Sequence, residues 1–335
     1  MAQSPLIELA HGDGGGLTRE LIAAVFARHF ANPILGRQED AAICPLPGGR
    51  VAVTTDSFIV DPIFFPGGDI GKLAVCGTVN DLAVMGARPL YLTAGFIIEE
   101  GFSVELLEKI AASMACAAAA AGVHIVAADT KVAEKGAVDQ LFINTTGIGL
   151  IEGSLCLGAD QVRPGDRVIV SGPVGNHGLV ILASRMGLDL NGGLVSDCAC
   201  LWPVISAVIS DFPVKFMRDA TRGGLATVLK ELAVSSGLDV VVREESIPVC
   251  REVIELSQML GVEPYYLANE GRFIAVVPEA AAPGLVERLH QFELGRGAAV
   301  IGTLHEGSGR VLLHTRFGGT RVLDFLRGQH IPRIC

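Results

Sequence analysis

The sequence predicts a two-domain α+β protein. Three observations point there. The chain has 335 residues and half of them are apolar, enough for two sizeable cores. β-branched strands alternate with helical segments, yet some strands follow one another directly, which favours α+β layering over a purely parallel sheet. Turn chemistry at Arg163-Pro164-Gly165-Asp166 opens a second run of the same style.

In chain order, a helix is expected over Thr18–Phe30, then a strand through "RVAVTTDSFIV" that runs into Asp56. A helix follows, capped by Asp69 and ended by Gly86 to Pro89. "PLYLTAGFIIE" reads as a strand. Ser103 caps a helix that Gly122 ends. "VHIVAAD" and "DQLFINTTGIGLI" read as strands. The second half is read as strand 167–171, helices 176–186, 199–210 and 223–236, strand 238–243, helix 250–260, strand 272–277, helix 281–291, and strands 298–304 and 310–314. The divisions expected are an N-terminal segment 1–35, a first domain 36–158, a second α/β domain 159–316, and a mobile tail 317–335.

Composition excludes several functions. The net charge is -10, which argues against nonspecific nucleic-acid binding and leaves no broad basic face for an anionic membrane. The uncharged run Ile110–Ala128 is alanine-rich and divided by Gly122, so it reads as helix plus strand and not as a membrane span. No basic n-region precedes an apolar core at the start, so no signal peptide is expected. Eight cysteines lack any C-x-x-C pair or zinc spacing, and reduced thiols in the cytoplasm are expected. Most should be small core residues. Cys335 is different, because it is the last residue of "HIPRIC", where a thiol brings oxidation risk without packing benefit. Sixteen residues follow Gly319 to the end at Cys335, a reach of roughly 50 Å if extended. Such a tail can present Cys335 to a distant pocket or fold back on its own protein.

Acidic residues stand where strands stop or helices turn: Asp40, Asp56, Asp81, Asp129 and Asp219. Asp81 lies with Asn80 in an otherwise apolar helix, where an unpaired charge is costly and a cation would relieve the cost. Magnesium takes a few carboxylates and leaves positions for water and phosphate. "HGDGGG" (11–16) and "GPVGNHG" (172–178) offer unobstructed backbone N–H groups, although neither is a P-loop. Lys72, Lys131 and Arg222 add cations. Nucleotide-triphosphate binding is the expected use.

"TTDSFIVDPIFFPGGDIGKLAVCGTVNDLAVMGARP", "ADTKVAEKG", "FINTTGIG", "MRDATRGGLA", "ANEG" and the terminal "PRIC" resemble, in order and over nearly the whole chain, the HypE family of hydrogenase maturation factors. That family belongs with aminoimidazole ribonucleotide synthetase, selenophosphate synthetase and thiamine-monophosphate kinase. The resemblance implies a PurM-like two-domain fold, a homodimer joined through first-domain sheets, and ATP with Mg2+ bound near that interface. It implies ATP-dependent dehydration of an S-carboxamide on Cys335 to a thiocyanate. The partner carbamoyltransferase HypF would load the sulfur, and the HypC–HypD complex would receive cyanide for the iron of nickel–iron hydrogenase. The catalytic residues implied are Cys335, Lys131 in "ADTK" and Glu270 in "ANEG". The nucleotide and metal set is Asp40, Asp56, Lys72, Asn80, Asp81, Asp129, Thr130, Asn144, Asp219 and Arg222, with the five aspartates as metal ligands. Small departures are Glu39 before Asp40 and Ala128 before Asp129, which bear on the ligand set, and Ala220 where a proline is usual. Two alternatives stand beside this. One is a small-molecule ATP enzyme of the same superfamily. The other is a metal-binding chaperone using Cys335, His330, Cys198 and Cys200. His177, in "GNHG", either assists the chemistry or satisfies a local backbone group.

Overall fold

A computed structural model describes residues 15–21, 42–46, 49–188, 190, 193–326 and 333–335. Asp40, His330 and most of the first glycine-rich stretch lie outside these residues, as does most of the helix expected over Thr18–Phe30. Its described part is α1 (Gly16–Leu21).

The first domain is a five-stranded sheet in the order β1-β2-β7-β5-β6. Its strands are β1 (Ala42–Leu46), β2 (Gly49–Phe58), β5 (Arg88–Glu99), β6 (His124–Ala133) and β7 (Leu141–Ile151), with a two-stranded ribbon of β3 (Phe64–Phe65) and β4 (Gly68–Asp69) beside it. Only β5 and β6 run parallel; the other neighbours are antiparallel. Helices α2 (Ile70–Val84) and α3 (Val104–Ala121) pack together over this layer.

α2 starts where the Asp69 carboxylate accepts the N–H groups of Gly71 and Lys72, satisfying two of the orphan donors of a helix start. Thirteen of its fifteen residues are buried, and the two exceptions are Lys72 and Asp81. A helix apolar all round must be surrounded. It touches α3, β2 and β7 of its own domain and α5 (Trp202–Asp211) and β9 (Phe216–Asp219) of the second. α2 is therefore the axle between the domains.

The second sheet has seven strands in the order β14-β13-β10-β12-β8-β11-β9. These are β8 (Arg167–Val170), β9, β10 (Asp239–Arg243), β11 (Phe273–Val277), β12 (Ala299–His305), β13 (Val311–His314) and β14 (Thr320–Leu323). Consecutive residues feed opposite cores: Val168, Val170, Ile274 and Val276 join one cluster, Ile169, Phe273, Ala275 and Val277 the other. This is the period of two expected of a strand buried on both faces. α6 (Gly224–Ser236) covers the first core, while α5 and α8 (Ala282–His290) cover the second. α4 (Asn176–Arg185) and α7 (Arg251–Leu260) complete the layer next to the first domain.

One boundary expected for the tail is corrected. It does not begin at 317, because β14 pairs antiparallel with β13 and backbone ladder bonds fix the chain there. Its tip folds back on its own protein, one of the two arrangements expected. Ile59 N–H donates to Cys335 O at 3.1 Å and Asp61 N–H to Arg333 O at 3.2 Å. Residues 333–335 thus lie alongside residues 59–61, just beyond the end of β2, and Ile334 is buried in the first core. β1, β9 and β14 were not expected as strands. They are short, and their patterns of four or five residues are too brief to show a period.

Candidate active site around the docked terminus

Four turns converge on the docked end of the chain: the approach to α4, the exit of β9, the start of α6 and the approach to β11. Asn269 knits three of them. Its Oδ1 accepts Gly175 N–H at 2.7 Å, and its Nδ2 donates to Ala220 O at 2.8 Å. Gly224 is required at the α6 start: its φ is +62°, and a Cβ there would lie 2.5 Å from Leu267 O. Gly271 is required for the same reason of space, since a Cβ would lie 1.9 Å from Asp197 O. The turn carrying Glu270 therefore presses directly on the chain at Asp197.

Glu270 is only 3% exposed. Burial, and next the neighbouring Asp219 and Asp197, push its carboxyl well above the usual carboxylate range. Among the described residues no hydrogen bond reaches its Oε1. A buried oxygen without a partner is costly, and this one keeps its capacity to accept a hydrogen bond.

Cys335 is half-buried as a residue, but its thiol is desolvated and pushed up to about 12 from the ordinary 9.0. Arg222 opposes that rise, and Cys335 in turn is the largest influence on the Arg222 guanidinium. Asp56, Glu270 and Asp81 also act on Arg222. Protein crowds this guanidinium, yet the residue keeps access to solvent. Arg222 therefore stands within electrostatic reach of the terminal sulfur while keeping contact with solvent.

Asp56 and Asp81 meet through a side-chain hydrogen bond, and burial raises the Asp56 carboxyl. Thr54 Oγ1 donates to Asp81 Oδ2 at 2.7 Å. Two carboxyls in contact must share a proton or a cation. The pair fits one side of a Mg2+ site, with positions left for phosphate oxygens. Among the described residues no group of three His, Cys, Asp or Glu side chains is disposed to hold a metal, and Asp40 lies outside those residues.

The remaining expected residues divide. Asp219, 5% exposed at the end of β9, joins the buried acids around Glu270. Asn144 Nδ2 donates to Asp56 O at 2.7 Å and Ser57 Oγ at 3.0 Å, steadying the Asp56 strand. Asn80, expected at the nucleotide, is buried and bonded to backbone. Its Nδ2 donates to Ala199 O at 3.0 Å and Glu270 O at 3.3 Å, and its Oδ1 accepts Leu201 N–H at 2.8 Å. Lys72 donates to Gly67 O at 2.9 Å. It sits nine residues before Asp81, half a turn round in phase, so the two face opposite ways. Asp129, Thr130 and Lys131 lie on the exposed edge strand β6, where Asp129 and Lys131 pair with each other at 2.9 Å. Among the described residues no strand pairs with the outer edge of β6. Cys76 and Cys198 form a buried thiol–thiol contact beside Glu270.

The sequence reading missed Asp197, Arg185 and Arg333. Arg185 donates to Asp61 O and Arg333 O, and Arg333 donates to Ile59 O at 2.8 Å and pairs with Asp139. These bonds join residues far apart in the chain, and no local spacing announces them.

Residues 38–151 match the AIR synthase related protein N-terminal domain, and residues 163–314 match its C-terminal domain. Carbamoyl dehydratase HypE of Rhodobacter capsulatus is 48% identical over 334 residues, 98% of each chain. Its counterpart in Escherichia coli (strain K12) is 47% identical over 335 residues, 98% of this chain and 99% of that one. A crystal structure of hydrogenase maturation protein HypE in complex with ATP superposes with a TM-score of 0.83 at 46% identity, covering 98% of this chain and 100% of the other. A HypE–HypF complex gives 0.87 at 45%, covering 91% and 99%. Thiamine monophosphate kinase from Aquifex aeolicus, at 16% identity and a TM-score of 0.68 over 89% and 97%, shares the fold alone.

Proposed function

Since the chain belongs to the HypE family of carbamoyl dehydratases, within the AIR synthase related proteins, we propose that it dehydrates an S-carboxamide carried on its own Cys335 to a thiocyanate with ATP. The product is the source of a cyanide ligand for hydrogenase iron. The observation that supports this reading is the docked terminal residue, whose thiol feels the charges of Arg222, Glu270 and Asp56.

The carboxamide oxygen is a poor leaving group. ATP makes it a good one by phosphorylating it, and Mg2+ held by Asp56, Asp81 and Asp40 would neutralise charge during that transfer. The carbon–oxygen bond then breaks with phosphate leaving, the amide nitrogen gives up its two protons, and a carbon–nitrogen triple bond remains on sulfur. Glu270 would take an amide proton. Its raised carboxyl means that the ionised form binds a proton avidly. Arg222 faces the same sulfur and offers fixed positive charge to the amide oxygen as negative charge gathers there.

The docked thiol also explains why loading must happen elsewhere. A thiol at about 12 is almost wholly protonated at neutral pH and a weak nucleophile. It must leave the cleft to receive its carbamoyl group, for which the HypF partner suits, and return to be dehydrated. Transfer to the HypC–HypD complex would require a second exit. Homodimerisation would place a second chain over the first sheet. Exposed Tyr91, Ile97, Ile125, Val126 and Val132 on β5 and β6 support that arrangement, and it would put Lys131 within an enclosed site.

The test compares the full chain with one lacking Cys335, each given the carbamoyltransferase, a carbamoyl donor and ATP. The full chain should take up one carbamoyl group and consume ATP in step. The shortened chain should bind ATP equally and do neither. Turnover of a free small molecule by the shortened chain would instead favour a kinase or synthetase of the same superfamily.

A further inference from the structure

Asp197 lies in the loop before α5, and its side chain is 1% exposed. Its Oδ1 accepts His177 N–H at 3.2 Å and Glu270 N–H at 3.3 Å, and its Oδ2 accepts Gly271 N–H at 3.1 Å. One buried carboxylate thus fastens the first turn of α4 to the turn that carries Glu270. Bonds from ionised acceptors to backbone N–H groups are among the stronger ones.

His177 is wholly buried. Its Nδ1 lies 2.8 Å from Ser196 Oγ, and its Nε2 lies 2.8 Å from Ile334 O. A carbonyl oxygen only accepts, so Nε2 carries the proton and Nδ1 takes the Ser196 hydroxyl. Ser196 Oγ in turn accepts Cys198 N–H at 3.1 Å. Phe65 meets the ring edge-on, with centroids 5.3 Å apart. Both ring nitrogens are committed, and neither points at the reacting sulfur. The ring grips the carbonyl of the residue before it.

A continuous path therefore runs from Glu270 through Asp197 and His177 to Ile334 and Cys335. We propose that His177 and Asp197 are positioning residues that set how deeply the C-terminal segment enters and so hold the Cys335 sulfur in register with Glu270. The strand-like bonds at Ile59 and Asp61 hold the segment along its length, but they belong to the first domain. His177 is the contact that references the tip to the same carboxylate as Glu270. This inference rests on the reading of Cys335 as the carrier, and its test is arranged so that the two can fail separately.

The full-length protein and its His177→Leu, His177→Gln and Ser196→Ala variants are pulsed with iodoacetamide before any carbamoylation, and the C-terminal peptide is followed by mass spectrometry. Loss of one buried hydrogen bond should raise the Cys335 alkylation rate about tenfold in His177→Leu. Glutamine can still donate to Ile334 O, so His177→Gln should restore most of the protection. Ser196→Ala, which keeps the packing, should give a smaller rise, about threefold. In the same samples, carbamoylated and given ATP, single-turnover dehydration should slow by at least the alkylation factor in His177→Leu and recover in His177→Gln, with ATP affinity unchanged. Parent-like alkylation in both His177→Leu and Ser196→Ala would overturn the proposal. So would equal impairment of the leucine and glutamine variants at equal melting temperature. If no sample dehydrates while the alkylation order holds, the positioning stands and the carrier reading fails.

Discussion

Cys335 should become reactive only as it leaves its seat, and pH supplies the perturbation. The seated thiol titrates at about 12, against 9.0 for an ordinary thiol. A group whose folded value is raised stabilises the folded arrangement fully below its unfolded value and loses that contribution as pH rises toward the folded one. Seating is thus unaffected below about pH 9 and weakens between about pH 9 and 12. At ~1.4 kcal/mol per unit, the loss by about pH 11 is at most roughly 3 kcal/mol, an upper figure because the residue keeps partial exposure. The assay is peptide-resolved alkylation from neutral pH upward, with a synthetic copy of the last ten residues as reference. The ratio of protein to peptide rate should be far below one at neutral pH, stay flat to about pH 9, and climb above it as the terminus is expelled. A protein that alkylates as quickly as the peptide at neutral pH would refute the seated resting state.

Other consequences are readily checked. Glu270→Gln should bind ATP and accept a carbamoyl group, yet dehydrate roughly 100- to 10,000-fold more slowly in a single turnover; a parent-like rate would remove Glu270 from the proton path. Gly271→Ala forces a Cβ against Asp197 O, 1.9 Å away, and should cost about 1–3 kcal/mol, seen as a melting temperature several degrees lower; an unchanged melting curve would contradict the close packing of the two turns. Asp81→Asn can still accept from Thr54, so the fold should persist while affinity for Mg2+–ATP by calorimetry falls about tenfold or more; equal affinity would displace Asp81 from the metal site.

The long elements were legible because they carry strong local signals. Asp69 and Ser103 cap their helices as their side chains foretell, and Gly122 closes the second with a φ of +70°. The apolar helix around Asp81 announced a central, surrounded element, and Asp81 is one of its two residues that escape burial. Short edge strands such as β14 gave no period to read, so the tail seemed to begin seven residues too early. Within the site, Glu270, Arg222, Asp56, Asp81, Asp219 and Cys335 are electrostatic neighbours of one another. Asn80 is bonded to backbone, because a polar side chain buried between domains must satisfy the nearest backbone, and here that backbone is the 199–201 turn. Asp197 was invisible for the converse reason. Its partners at 177, 270 and 271 are set by tertiary packing, and "SDCAC" drew attention to its thiols.

The central claim is that the substrate is the chain's own terminus. The most direct measurement is the mass of the C-terminal peptide after the protein has been carbamoylated and then given ATP and Mg2+. The account predicts that this peptide first gains one carbamoyl group on Cys335 and then loses the mass of one water, and that neither change occurs on any other cysteine. A carbamoylated peptide whose mass stays constant while ATP is consumed, or a loss of water on a different peptide, would contradict it.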